Sequence, residues 1–524
     1  MSFPDLLVLI TVSLLILLLP AFGLYKLFPK AGIPAWKAWV PFLNSWEMIK
    51  AEKLRKHWFF WQFIPVAGWF ISLWILIEFI KLFGKFSLKD HALAVLVPFI
   101  YYPMIANDEK DTRYIGPEAV RKHRKSPARE WIDAAIFAIV AATLIRIFVF
   151  EAYVIPTGSM EKTLLVNDFL FVSKLSYGPR IPNTPLAVPF VHHTLPVFGG
   201  KSYIESVNLP YRRWFSSPVK RNDVVVFNFP VGDTLTREFD SQDPYYDILR
   251  REERRLQTQL RTQYPDETQL KAVSARRAYE NVWDQYRITT RPVDKRENYI
   301  KRCVAIAGDS LQLINGRLYI NGEPGFVSPT EATEYHVITS GRGLTPDVVE
   351  DAGIMLTPDG TDFHYANQGT YVLNLTESEV EKLRTIPGVD SIEKIIVDNY
   401  GDVFPYDAEF HWSVDNFGPL WVPAKGAVID LTPRNIKLYK RLIRVYEQNT
   451  WEERDGRIFI NGKESTQYTF KMDYFWMMGD NRHRSQDSRF WGFVPEDHVV
   501  GEAWMIWMSW NSGPRWNRIF NMIH

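Results

Sequence analysis

The chain has 524 residues, which is long enough for two or three domains with large buried cores. Its 61 Lys and Arg residues nearly balance its 60 Asp and Glu residues, and this balance argues against a nucleic-acid-binding protein, which usually carries a strong basic excess. A single cysteine, Cys303, excludes an intrachain disulfide and a cysteine-rich zinc site.

Apolar segments dominate the first 155 residues and predict membrane-spanning helices. Leu6 to Tyr25 and Trp131 to Phe150 are nearly uncharged and have the length of about 20 residues that crosses a bilayer core. No basic residue precedes the first segment and no cleavage site follows it, so we expect a retained span. Trp58 to Phe79 is a further candidate span. Ala92 to Ala106 is short and contains two prolines, so a span, a re-entrant piece and a buried helix all remain open for it.

Basic residues predict the orientation of these spans. One basic cluster, residues 50–56, precedes the second span, and another, Arg121-Lys122-His123-Arg124-Lys125 with Arg129, precedes the last. Because Lys and Arg favour the cytoplasmic side, we predict four spans, with the N-terminus and everything after Phe150 outside the cytoplasm.

The chain after Tyr153 has the patterns of β-structure. β-Branched and aromatic runs predict strands, namely 168–172, 223–229, 299–306 and 504–510. Two similar segments, 316–323 and 456–463, each contain Asn-Gly, the strongest short hairpin signal. Asp247 to Tyr286 is rich in Arg, Glu and Gln with leucines at helical spacing, and it predicts a helical hairpin inserted between strands.

A candidate nucleophile lies a few residues beyond the last apolar segment. Ser159 stands in Pro156-Thr157-Gly158-Ser159-Met160, which fits either an ordinary turn or a serine exposed for chemistry. A reactive serine needs a base to accept its proton. No histidine is singled out by its context, and no H-E-x-x-H motif supports metalloprotease chemistry.

Two lysines compete for the role of base. Lys162 completes a literal Ser-x-x-Lys with Ser159, which works when the motif opens a helix. Lys301 lies in a predicted strand, where Tyr299, Lys301 and Cys303 face one way and Ile300 and Arg302 face the other. An apolar setting of this kind would lower the pKa of a lysine and so favour its neutral form.

Four segments in order then carry a resemblance to the bacterial signal peptidase I family. They are Pro156 to Leu164 with Asn167-Asp168, then Asp223 to Phe227, then Tyr299 to Asp309, and finally Gly479-Asp480-Asn481-Arg482 with Ser485 and Asp487 to Pro495. The resemblance covers roughly residues 131 to 524. The insertion after Phe229 and the stretch between Lys301 and Gly479 are longer than is usual in that family.

The resemblance implies roles for individual residues. It makes Ser159 the nucleophile and Lys301 the general base, so that Lys162 is a coincidence, and it places Thr157 with the Ser159 N–H in the oxyanion hole. Ser485 would orient the lysine. The implied supporting residues are Asp487, Arg489, Gly479 and Asp480. The implied substrate-binding residues, which form small apolar S1 and S3 pockets, are Ile155, Pro156, Met160, Leu164, Tyr299 and Ile300. No metal or cofactor is implied.

The resemblance also implies an architecture, namely N-terminal transmembrane helices followed by a mostly-β extracytoplasmic catalytic domain with an antiparallel signal-peptidase-like fold and two insertions. The expected segments are 1–120 (membrane region), 121–152 (basic segment and last span), 153–230 (catalytic domain, first part), 231–297 (helical hairpin), 298–325 (lysine strand and hairpin), 326–470 (β-rich insertion) and 471–524 (catalytic domain, C-terminal part).

The implied function is removal of signal peptides from exported preproteins after an Ala-x-Ala-like site. The implied location is the bacterial inner membrane, multi-pass, with the catalytic domain on the periplasmic side. The expected partners are preprotein signal peptides and the lipid bilayer, with proximity to the secretion translocon as a further hypothesis, and no nucleic acid. Two alternatives remain: a penicillin-binding or β-lactamase-like Ser-x-x-Lys acyltransferase, and a catalytically inactive membrane assembly factor.

Overall fold

The structure is a computed structural model of the chain. It describes all residues except 1, 2, 65, 66, 109, 125, 197, 198, 207, 341, 342, 358–360, 368, 408 and 524. Lys125 of the predicted basic cluster therefore lies outside the described residues. The chain forms two compact units, Met1–Leu144 and Ile145–His524.

The first unit is helical. Its helices are α1 (Phe3–Leu18), α2 (Ala21–Lys30), α3 (Leu43–Ala51), α4 (His57–Trp61), α5 (Ala67–Lys81), α6 (Leu88–Leu96), α7 (Pro98–Asn107), α8 (Gly116–Lys122) and α9 (Pro127–Phe148), of which α9 continues into the second unit. Its apolar core includes Leu24, Phe28, Phe79 and Tyr102.

The predicted N-terminal spans are interrupted. The first breaks where α1 ends and Pro20 precedes α2, and the second is divided between α4 and α5. Each piece is shorter than the roughly 20 residues needed to cross a bilayer. Within the described part of the chain, α9 is the one helix that is long and apolar enough to span a membrane. The structure therefore does not support four spans.

The short segment Ala92 to Ala106 is only partly buried, since Leu96, Phe99, Ile100 and Met104 are exposed. It forms parts of α6 and α7, which meet at Val97 and Pro98. Ala94, Tyr101 and Tyr102 are buried in the core of the first unit.

The second unit is mostly β-structure, as predicted. Its strands are β1 (Phe150–Val154), β2 (Asp168–Ser173), β3 (Val224–Asn228), β4 (Thr234–Thr236), β5 (Ile288–Thr290), β6 (Asn298–Ala305), β7 (Ser310–Ile314), β8 (Arg317–Ile320), β9 (Glu323–Pro324), β10 (Ala332–Thr339), β11 (Phe363–Asn367), β12 (Thr370–Thr376), β13 (Val389–Lys394), β14 (Phe417–Trp421), β15 (Val428–Asp430), β16 (Trp451–Arg454), β17 (Arg457–Ile460), β18 (Lys463–Glu464), β19 (Gln467–Thr469), β20 (Tyr474–Met478), β21 (Val494–Pro495) and β22 (Val499–Ser509). Its helices are α10 (Tyr245–Leu260), α11 (Glu267–Gln285), α12 (Pro346–Asp351), α13 (Glu377–Leu383), α14 (Pro433–Arg441) and α15 (Ser488–Trp491).

A seven-stranded antiparallel sheet forms the centre of this unit, in the order β1-β2-β22-β3-β6-β20-β21. Its strands come from distant parts of the chain, so the sheet brings together segments that lie far apart in the sequence. Strand β6 alternates as predicted, because Tyr299 and Cys303 pack in one apolar cluster while Ile300 packs against others.

The two repeated segments form hairpin turns at Asn321-Gly322 and Asn461-Gly462. Both residues of each pair have a positive φ. Asn-Gly tolerates this backbone better than other pairs, and the tight turn requires it.

A helical hairpin and a second sheet are inserted between strands of the central sheet. Helices α10 and α11 pack against each other through Leu256, Leu260, Leu270 and Ala278. Strands β10 to β13 form a separate four-stranded sheet, with Val349 of α12 and Leu383 of α13 in the same core. We call residues 332–394 the inserted β module. The bounds of the seven segments expected from the sequence remain predictions.

Candidate active site

A cleft with a volume of about 760 Å³ opens in the second unit beside the end of β1. Ser159 and Lys301 both line it, together with Pro156, Thr157 and Tyr299. The cleft therefore unites two segments of the chain that carry the candidate nucleophile and one candidate base.

The Ser159 backbone is fixed by the segment that follows β20. Ser159 lies in a short 3₁₀ turn, Gly158–Met160. The Asn481 N–H donates to the Ser159 carbonyl at 3.2 Å, and Asn481 Nδ2 donates to the Gly158 carbonyl at 2.8 Å. Met160 is fully buried, and its sulfur accepts a hydrogen bond from the Asp480 N–H. The clamping role of Asn481 gave no separate signal in the sequence.

Lys301 lies in the central seven-stranded sheet, and its side chain reaches Ser159. It lies on β6 opposite Val225 of β3. Its Nζ donates to Ser159 Oγ at 2.6 Å and to the Ile300 carbonyl at 3.0 Å. The Lys301 side chain is almost completely buried, with 3% of its surface exposed.

Burial increases the neutral fraction of the Lys301 amine near neutral pH. Desolvation lowers its pKa from 10.5 to about 8, although the nearby Asp487 and Asp480 carboxylates oppose the change. A neutral amine within hydrogen-bond distance of a hydroxyl can accept its proton as that oxygen attacks an electrophile.

Two buried ion pairs support the wall of the cleft behind Ser159 and Lys301. Arg302 donates twice to Asp480, at 2.8 and 2.7 Å, and Arg489 donates twice to Asp487, at 2.9 and 2.7 Å. All four side chains are at most 2% exposed. The Arg302–Asp480 pair joins β6 to the segment after β20, whereas Arg489 and Asp487 lie in one segment; removing one partner of either pair would leave an uncompensated buried charge.

Gly479 allows the closest approach in this wall. A methyl group at its Cα would stand 2.2 Å from Ser485 Oγ and 2.5 Å from the Ser159 carbonyl oxygen. Its N–H donates to Asp487 at 3.1 Å. Any side chain here would push against the backbone of Ser159, so glycine is required.

The predicted role of Ser485 in orienting Lys301 stays a prediction. Ser485 is buried beside Gly479, but its hydroxyl makes no hydrogen bond to Lys301 among the described residues. Ser159 and the Ile300 carbonyl are the groups that orient the Lys301 amine.

The predicted pocket residues fall into two layers. Pro156, Tyr299 and Ile300 line the cleft. Ile155, Met160 and Leu164 are buried in one cluster behind it, against which Ile300 packs. The Tyr299 ring stacks on Phe229 at 4.4 Å between centroids. Thr157 is exposed at the cleft and has an extended backbone.

Comparison with known proteins accounts for this arrangement. A family model described as signal peptidase, peptidase S26 matches residues 128–337 and 439–510, which together are more than half of the chain. The chain belongs to the signal peptidase S26 family. The gap between the two matched ranges contains most of the inserted β module. A second model, of a family of unknown function (DUF5684), matches residues 36–117.

Curated bacterial proteins extend the similarity. The chain is 25% identical over 406 residues to a Haemophilus influenzae protein named Signal peptidase I, a match that covers 76% of each chain. A Buchnera aphidicola protein of the same name is 23% identical over 386 residues, covering 72% of this chain and 77% of the other. Family membership and these relatives identify the chain as a serine endopeptidase.

Lys162 forms its hydrogen bonds with groups other than Ser159 in this member of the S26 family. Its Nζ donates to Glu379 at 3.0 Å and to the Met355 carbonyl, both in the inserted β module. The Ser-x-x-Lys alternative requires a helical turn that brings both side chains to one face, whereas Lys162 has a positive φ of 72°.

One group of residues in the described part of the chain has the spacing of metal ligands. The ligand atoms of His193, Asp240 and Glu297 lie within 4.8 Å of one another. Arg291 already forms a two-pronged ion pair with Asp240, at 2.7 and 2.8 Å, and His193 pairs with Glu297 at 2.9 Å. These contacts satisfy the carboxylates without a cation.

Proposed function

We propose that the protein removes signal peptides from exported preproteins by a Ser159–Lys301 mechanism. The observation that carries this proposal is the 2.6 Å hydrogen bond between Lys301 Nζ and Ser159 Oγ at a cleft in a member of the S26 family. The relatives named Signal peptidase I support the substrate class.

In the proposed reaction, Ser159 Oγ attacks the carbonyl carbon of the scissile peptide while neutral Lys301 takes the hydroxyl proton. Lys301 then gives that proton to the departing amine, which leaves an ester between the signal peptide and Ser159. A water molecule, deprotonated by Lys301, hydrolyses the ester and restores the free hydroxyl.

The Ser159 N–H and the Thr157 hydroxyl are proposed to stabilise the oxyanion. Thr157 lies at the cleft two residues before the nucleophile, and a hydroxyl there can donate to an oxygen that forms above Ser159. Loss of one such donor typically costs about 10²–10³ in rate.

The apolar surface of the cleft supports selection of small side chains. Pro156, Tyr299 and Ile300 provide apolar surface in the cleft beside Ser159, and a buried apolar cluster packs against Ile300. A precursor with alanine at both contact positions fits such space better than one with larger residues.

We also propose that α9 anchors the enzyme in the bacterial inner membrane, with the β domain on the extracytoplasmic side. Arg121, Lys122 and Arg124 precede this helix and Arg129 lies in its first turn, as expected of a cytoplasmic flank. This orientation would place Ser159 where precursors emerge. The partners would be the lipid bilayer and, as a further hypothesis, the secretion translocon.

The test is cleavage of a purified precursor with an Ala-x-Ala site by the parent and by Ser159→Ala. The parent is expected to release the signal peptide, and the variant is expected to be inactive with an unchanged thermal unfolding midpoint. Ser206→Ala, at an exposed serine, is the matched control and should cleave normally. Equal cleavage by Ser159→Ala and the parent would contradict the proposal.

A further inference from the structure

The inserted β module is joined to the segment of the chain that carries the nucleophile. Lys162 follows Ser159 closely in the sequence, and only 5% of its side-chain surface is exposed. Its Nζ donates to Glu379 of α13 at 3.0 Å and to the Met355 carbonyl. Lys162 is not among the residues that line the described cleft, so its contacts with the module leave the surface of the cleft unchanged.

The module is also joined to the segment that fixes the Ser159 backbone. The Ala332 N–H at the start of β10 donates to the Asp480 carbonyl at 2.9 Å, and Ala332 forms a parallel β-bridge with Asn481. Asn481 in turn donates to the carbonyls of Ser159 and Gly158. The module therefore binds both of the chain segments that meet at the nucleophile.

A short path inside the module connects these two contacts. Glu379 accepts a hydrogen bond from Lys162 on Oε1 and one from the Thr376 N–H on Oε2, the latter at 2.9 Å. Thr376 lies directly opposite Ala332 in the register of β12 and β10. We call the linked residues, all of them buried, the brace; they are Lys162, Glu379, Thr376 and Ala332.

The geometry of the catalytic pair depends on the position of Ser159. Lys301 Nζ donates to Ser159 Oγ at 2.6 Å, and a displacement of about 1 Å in a catalytic group can reduce a rate by about 10²-fold. Because the brace connects the chain on one side of Ser159 to the segment that binds its carbonyl, it restricts the movement of the turn that carries the nucleophile.

We propose that the inserted β module positions the nucleophile, with Lys162 and Glu379 as positioning residues that act through the Ser159 backbone. This inference rests on the proposed function. The chemistry remains that of Ser159 and Lys301, and the brace keeps the turn Gly158–Met160 in the geometry that this chemistry needs. Loosening the brace should lower kcat and leave KM unchanged, since no residue of the brace lines the described cleft.

The first test is cleavage of an Ala-x-Ala precursor peptide by full-length Lys162→Met, Glu379→Met and the double variant. We expect each single variant to lower kcat by about tenfold with a parental KM. The double variant should lose no more than either single variant, because all three break the same link. Lys162→Arg retains a charged donor and should keep a near-parental kcat. The exposed Lys463 supplies the control Lys463→Met, which should behave as the parent.

Thermal unfolding separates positioning from stability. Each single variant leaves one buried charge of the Lys162–Glu379 pair without its partner, so it should unfold at a lower temperature than the double variant, which lacks both charges. A positioning role keeps kcat low in the double variant although its unfolding midpoint recovers. A parental kcat in the double variant would show that the unpaired charge alone impairs the single variants, and this result would overturn the proposal.

Hydrogen exchange tests the brace without relying on catalysis. The Leu164 N–H donates to the Met160 carbonyl at 2.7 Å, so the nucleophile segment contains an amide whose protection can be measured. We expect faster exchange in residues 158–164 of Lys162→Met and parental exchange in Lys463→Met. Unchanged exchange in Lys162→Met, or a parental kcat, would overturn the proposal. If the parent cleaves no peptide, the proposed function fails, and exchange alone then decides whether the brace holds the nucleophile segment.

Discussion

The lowered pKa of Lys301 gives the enzyme a specific dependence on pH. At pH 7 an amine with a pKa of about 8 is neutral in roughly one molecule in eleven, whereas at 10.5 it would be neutral in roughly one in 3,000. Burial of Lys301 among the strands around β6 therefore enlarges the active population about 300-fold. The proposed base is functional near neutral pH only because it is desolvated.

The assay is kcat/KM for an Ala-x-Ala peptide between pH 6 and 10. We expect a tenfold rise per pH unit at low pH and a plateau above about 8. Lys301→Arg should be inactive throughout, because a guanidinium stays charged, while Lys463→Arg at an exposed site should reproduce the parent profile. An inflection near 10.5, or activity in Lys301→Arg, would refute the reasoning.

Three further predictions follow from the same geometry. Lys301→Met should lose cleavage yet unfold at a higher temperature at pH 7, because the folded-state pKa lies below the ordinary value and burial of the charged amine costs stability; this cost is complete below about pH 8 and disappears only above about 10.5, and equal midpoints for the two proteins at pH 7 would contradict this. Gly479→Ala should reduce both activity and the unfolding midpoint, because the new methyl group clashes with the Ser159 carbonyl oxygen. The control Gly200→Ala, where nothing lies near the new methyl group, should change neither. A fully active Gly479→Ala would contradict this prediction. Deleting residues 1–120 should leave cleavage of a soluble peptide unchanged, because the described cleft lies in the second unit, and a loss confined to membrane-bound precursors would assign the first unit to precursor delivery.

Local patterns predicted much of the second unit. Alternation along 299–303 indicated which side of the strand Lys301 shares with Tyr299, and β6 has that alternation. The Asn-Gly pairs marked two turns that need positive φ at both residues. Such features depend on neighbours in the sequence, so the sequence alone can reveal them.

Contacts between distant segments were not predictable in this way. The pairing of Lys162 with Glu379 and the clamp of Asn481 on Gly158 join residues that no local pattern relates. The resemblance to signal peptidase I suggested the Ser159–Lys301 pair, whose hydrogen bond the structure contains, and a Ser485–Lys301 hydrogen bond, which is not formed among the described residues.

The N-terminal region shows the limit of hydropathy. Leu6 to Tyr25 is apolar throughout, yet α1 ends at Leu18 and α2 begins at Ala21. Proline lacks an N–H and clashes with the preceding turn, so Pro20 favours a break that average hydropathy does not register. The remaining pieces pack into a helical core.

The central claim is that Lys301, and not Lys162, is the base for Ser159. The most direct measurement is precursor cleavage by Lys301→Ala and Lys162→Ala, both checked for folding by thermal unfolding. The hydrogen bonds predict that Lys301→Ala abolishes cleavage, whereas Lys162→Ala, which loses a contact with Glu379, keeps measurable activity. Loss of cleavage in a folded Lys162→Ala together with retained cleavage in Lys301→Ala would contradict the account.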